Sequence, residues 1–100
     1  MKKLPKGMIT FYSDGATVTQ LYDTHIVSID AVKGDITLRT EGWITPHTIK
    51  CMNIALANTL YRVKKHQGSL WIEHSKNPLL VYEFTESVTV PLGGLCTNLS

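Results

Sequence analysis

Apolar and polar positions alternate along most of the chain in short runs, and turn dipeptides separate those runs. The run 8-MITFY-12 is followed by Asp14-Gly15 and then by 16-ATVTQLY-22. An Asp-Gly pair tolerates the positive φ of a tight two-residue turn, so these runs predict two paired antiparallel strands. Lys33-Gly34 separates 25-HIVSIDAV-32 from 35-DITLRT-40 in the same way. A two-residue loop there sets Ile29 against Leu38 and Ala31 against Ile36 on an apolar face, with Ser28, Asp30, Thr37 and Arg39 on a wet one. A third hairpin pairs 60-LYRVKKH-66 with 69-SLWIEH-74 around Gln67-Gly68. Asn77-Pro78 then leads into 79-LLVYEFT-85, where Leu80, Tyr82 and Phe84 share a face.

The period changes in 42-GWITPHTIKCMNIALAN-58. Thr45 is a good N-cap, because its hydroxyl accepts from an otherwise orphaned backbone N–H, and Pro46 at the next position loses no hydrogen bond and arrives with helical φ. At 100° per residue Ile49, Met52, Leu56 and Leu60 converge on one stripe, the face that packs on the sheet. The other side carries Cys51, Ile54, Ala55 and Asn58, where a surface helix would show charge. Two coverings fit that apolar second face: the chain's own loops, N-terminal arm or C-terminal tail, or a partner protein or second copy. The expected fold is α+β, an antiparallel sheet of about six strands with one central helix packed on one face.

Composition narrows the function classes. One hundred residues with 43% hydrophobic content form a single domain, 1–100, that needs no metal or disulfide to hold it. Residues 1–7 and 91–100 lack periodicity and are expected to be loosely held, although Leu92 and Leu95 offer docking side chains. A net charge of +2 is too small to imply nucleic acid or anionic membrane. Cys51 and Cys96 match neither a metal spacing nor a disulfide framework, so both are expected as free thiols in a reducing compartment. The sequence holds no run of signal-peptide or membrane-spanning length.

Chemistry-bearing patterns are sparse. Histidines 25, 47, 66 and 74 have no ligand spacing and no Cys or acidic cluster beside them, so no metal and no cofactor is expected. His47, on the first helical turn, reads as a surface residue rather than a base. No nucleophile elbow, phosphate-cradling glycine loop or paired-carboxylate motif is present, and the chain reads as a non-enzyme. The hairpin at 60–74 gives one aromatic-plus-basic arrangement: Lys64 opposite Trp71 and Arg62 opposite Glu73, with Tyr61, Val63 and Ile72 facing inward. A solvent-facing Trp71 among Arg62, Lys64 and His66 would resemble a stacking platform for a single-stranded base. A cross-strand cation–π pair with a structural Trp accounts for the same residues.

Gly42, Trp43, Thr45, Thr48, Met52 and Asn53 together resemble a motif of short tailed-phage accessory proteins of unassigned function. In those proteins a hairpin leads into Gly-Trp, a Ser/Thr two places after the Trp, a Thr at five and Met-Asn at nine and ten. The similarity extends more loosely from 21-LYDTHIVSID-30 through the Trp71 hairpin to 81-VYEF-84. The basic residues usual at six and eight places after the Trp are Ile49 and Cys51 here, which weakens a nucleic-acid role for the helix. Each motif position also has a structural account: Thr45 caps, Thr48 supports the cap, Met52 packs inward, Trp43 closes the strand-to-helix corner, and Asn53 bonds a neighbouring loop. The resemblance implies an accessory protein made in the cytoplasm of an infected bacterium that binds a host enzyme or defence component. On this reading Cys51, Ile54, Ala55 and Asn58 form the protein-binding surface. The alternative is a weak single-stranded nucleic-acid binder using Arg62, Lys64, His66 and Trp71.

Overall fold

The computed structural model describes residues 4–42 and 44–92. In chain order the elements are β1 (Met8–Ser13), β2 (Ala16–Leu21), β3 (Thr24–Asp30), β4 (Asp35–Arg39), α1 (Pro46–Ala55), β5 (Tyr61–His66), β6 (Ser69–His74), β7 (Val81–Phe84) and β8 (Ser87–Pro91). The fold is α+β, as the patterning predicts. Among the described residues the strands number eight rather than about six, and they divide into two antiparallel sheets, β1-β2-β3-β4-β8 and β5-β6-β7. The expected roles of Trp43, Leu95 and Cys96 fall outside the described residues.

Turn chemistry sets the registers. φ is 52° at Asp14 and 83° at Gly15, and 52° at Gln67 and 83° at Gly68. Two left-handed residues in succession match the twist of the flanking strands, so Ser13 faces Ala16, Lys64 faces Trp71 and Arg62 faces Glu73. The middle hairpin departs from the expected two-residue loop. Asp30 faces Asp35, Ile29 faces Ile36 and Val27 faces Leu38, leaving a four-residue loop from Ala31 to Gly34. The cause is the Asp30 side chain, whose Oδ1 accepts from the N–H groups of Val32 at 3.0 Å and Lys33 at 2.9 Å. This local turn takes up two more residues than the dipeptide alone implies; a shift of two keeps the paired side chains on their expected faces, but Ala31, expected opposite Ile36, lies exposed in the loop.

A bulge lies between β2 and β3, where Thr19 faces Val27 but Gln20 faces His25. Ile26 is the extra residue, and both Ile26 and Val27 are buried because the bulge turns successive side chains inward. β8 was not apparent from the sequence. Val88 and Val90 pair with Leu38 and Ile36 on β4, far away in the chain, and Thr40 guides the crossover: its N–H donates to Glu86 O at 2.8 Å and its hydroxyl to Thr85 O. Two backbone bonds lie near the ends of the described chain. Leu92 N–H donates to Gly34 O at 2.8 Å, and Tyr22 N–H to Gly7 O at 2.8 Å.

The helix starts at the expected cap. Thr48 N–H donates to Thr45 Oγ1 at 3.1 Å, and the two hydroxyls lie 3.0 Å apart. It ends at Ala55 instead of running to residue 58. Leu56 O is taken by Thr59 N–H at 2.9 Å, by the Thr59 hydroxyl at 2.8 Å and by Arg62 Nη1 at 3.1 Å. A threonine bonding its local backbone competes with further helix, and the guanidinium supplies the cation that the last helical turn lacks. Leu60 therefore leaves the expected stripe and is 43% exposed. Met52 and Leu56 pack with Val27, Ile36 and Leu38 of one sheet and Tyr61, Leu70 and Ile72 of the other in a single core.

Candidate functional site

The second helix face divides on folding. Cys51 is 0% exposed and Ala55 is half-buried against the core, so neither lies on the contact surface that the sequence suggests for them. The reason is that both sheets flank α1, which widens its buried arc to Thr48, Cys51, Met52 and Leu56. The segment before β1 closes one side: His47 Nε2 donates to Lys6 O at 2.9 Å, and Cys51 Sγ lies 3.9 Å from that same nitrogen. His47 is thus a half-buried tether rather than a free surface group. Burial pushes the Cys51 thiol above its ordinary pKa, with Lys50 pulling in the opposite direction.

Ile54, 38% exposed, and Asn58 remain on the outside. The chain continues their surface into Leu60, which the helix stripe had assigned to the core. Leu60 O accepts from Ser75 N–H at 2.8 Å and Leu80 O from His74 N–H at 3.0 Å. These bonds set Leu60 and Leu79 on either side of the end of β6, and Leu79 is 83% exposed. Buried His74 fixes that corner, its Nδ1 accepting from Lys76 N–H at 3.1 Å and Asn77 N–H at 3.0 Å. Ile54 near the end of α1, with Leu60 and Leu79 in the connections before β5 and β7, makes up an apolar rim of three exposed side chains. Sequence periodicity missed its last two members because it extended the helix stripe to Leu60 and the strand run to Leu79, whereas both lie in connections.

The aromatic-basic hairpin has the expected register but a different electrostatic character. Lys64 Nζ sits 2.5 Å from Glu73 Oε2. Arg62 turns away from Trp71 to the carbonyls of Leu56, Thr59 and Tyr61, the last at 2.6 Å. β7 places Glu83 directly across from Trp71 on its other side. Trp71 is half-buried with its indole N–H covered, and with Lys64, His66, Glu73 and Val81 it borders a shallow hollow of about 280 Å³. A stacking platform needs an exposed ring in a positive field, and here two carboxylates offset Lys64.

A cavity of about 400 Å³ lies between the Tyr22–Thr24 turn and the start of α1, with Leu21, Ile26, Thr40, His47 and Thr48 among its walls. The Thr40, Thr45, Thr48 and His47 side chains in its wall are engaged in holding the fold. Thr40 bonds Thr85 O and accepts from Gly42 N–H at 3.1 Å, Thr48 bonds Thr45, and His47 holds Lys6 O. Among the described residues no cluster of three or more His, Cys, Asp or Glu side chains converges as metal ligands would, and no helix is long and apolar enough to cross a membrane. The chain matches no protein-family model, no curated protein and no solved structure.

Proposed function

We propose that this chain is a small, non-enzymatic binding protein that occludes or modulates another protein. The observation that carries the reading is the exposure, among the described residues, of the large apolar side chains Ile54, Leu60 and Leu79 on α1 and the connections after it, while Cys51, Met52 and Leu56 are buried in the core. Exposed large apolar groups of this kind suit a protein contact, where desolvating them is favourable. The engaged hydroxyls of the cavity and the paired Lys64 lend less support to catalysis or to nucleic-acid binding. The tailed-phage resemblance lends support to a partner from the infected bacterium and to action in the host cytoplasm.

Affinity capture from bacterial lysate, with and without nuclease, tests the class of partner. The expected outcome is a captured protein that persists after nuclease treatment. Capture that disappears with nuclease would replace this reading by the nucleic-acid one.

A further inference from the structure

Among the described residues, the edge of β1 is the most open strand edge. Gly7 O accepts from Tyr22 N–H, so the odd positions of β1 direct their backbone groups toward β2. The even positions face the other way. Met8 N–H is taken by Pro5 O at 3.1 Å, while Thr10 and Tyr12 present both N–H and C=O outward from a strand that ends the five-stranded sheet. The other three sheet edges each carry a protective device. β8 ends in Pro91, β7 is four residues long and includes exposed Glu83, and β5 has its Val63 backbone occupied by Asn53 and two lysines at 64 and 65. β1, with sequence MITFYS, has no charge, no proline and no bulge, and Tyr12 on it is 83% exposed. Such an edge is a template for another extended strand.

We infer that the occupant is β1 of a second copy, paired antiparallel about a two-fold axis at Phe11. The free backbone groups dictate that register. Thr10 of one copy and Tyr12 of the other exchange both hydrogen bonds, and Phe11 then faces Phe11 of the second copy in a non-hydrogen-bonded pair, with Ile9 opposite Ser13. Charge complementarity fixes the direction. The antiparallel arrangement brings exposed Lys6, before the strand, toward exposed Asp14 in the hairpin turn of the second copy, whereas a parallel one would set Lys6 against Lys6 and Asp14 against Asp14. The contact is isologous, so it closes at two copies. A six-residue strand pair buries less than the roughly 800 Å² per partner of a standard stable interface, so the dimer is concentration dependent. This surface is separate from the rim of Ile54, Leu60 and Leu79.

Sedimentation over a range of concentrations, with cysteine crosslinking in a Cys96→Ser background, tests the pairing. The mass of the wild type should rise toward that of a dimer, and Thr10→Pro should weaken association at least about tenfold, because symmetry deletes an outward donor twice. Phe11→Cys should crosslink readily under mild oxidation and Tyr12→Cys should not, because only residue 11 faces itself. A chain that stays monomeric at roughly millimolar concentration, well above the range of specific dimers, would overturn the inference and leave the edge to an extended segment of a different protein. Equal crosslinking through both cysteines would overturn the register. Loss of dimerisation with Ile54→Lys, while Thr10→Pro still dimerises, would show that copies meet at the rim instead.

Discussion

Asn53 on α1 and Val63 on β5 exchange two hydrogen bonds: Asn53 Nδ2 donates to Val63 O at 3.0 Å, and Val63 N–H donates to Asn53 Oδ1 at 2.8 Å. The side-chain amide copies the donor and acceptor of a neighbouring strand, so the helix closes a sheet edge that would otherwise carry buried, unpaired backbone groups. Asn53→Ala leaves both groups of Val63 without partners, and should destabilise the domain by about 2–3 kcal/mol. Urea unfolding measures it. An unchanged midpoint would mean that water reaches Val63 and that the amide does not hold helix to sheet.

The cap is a second, independent contribution. Thr45→Ala removes the acceptor for Thr48 N–H and should cost about 1 kcal/mol, with Thr45→Ser restoring most of it. A Ser variant as unstable as the Ala variant would show that the methyl group, not the hydroxyl, matters at this position.

Cys51 should resist thiol reagents in the native state, and a Cys96→Ser background isolates it. Burial raises its pKa on folding, so the unfolded thiol ionises at its ordinary value while the folded one keeps its proton. The unfolded state then binds fewer protons at alkaline pH, and stability falls as pH rises. From about pH 8 to about pH 10, through the range where an unfolded thiol ionises, the Cys51-containing protein should lose more stability than its Cys51→Ala counterpart. Parallel pH profiles of the two, or rapid native labelling, would show that Cys51 reaches solvent.

The features that were legible in the sequence are those whose cause is local. Asp14-Gly15 and Gln67-Gly68 announce their hairpins because a turn with positive φ admits few residues, and Thr45-Pro46 announces the helix because capping involves neighbours only. What escaped depends on distant parts of the chain or on a side chain's choice of partner. β8 exists through pairing with β4, and the bulge at Ile26 through the packing of two sheets around one helix. That packing also buries Cys51. Asp30 lengthens its loop by bonding Val32 and Lys33, and Arg62 leaves the Trp71 surface because Leu56 at the helix end offers it an acceptor. Of the suggested contact residues, the ones that stay outside are Ile54, which lies opposite the wide buried arc of α1, and Asn58, which lies in the turn beyond the helix end.

The central claim is that the rim around the helix end is a protein contact. Ile54→Lys, examined alone and with Leu60→Lys by thermal unfolding and by partner capture from the same preparation, tests it most directly. A charge at an exposed position changes stability by less than about 0.5 kcal/mol, whereas a desolvated interface rejects an unpaired lysine. The variants should melt close to the wild-type temperature and lose the captured protein. Variants that fold and capture as the wild type does would contradict it, and a collapse in melting temperature would show that Ile54 belongs to the core.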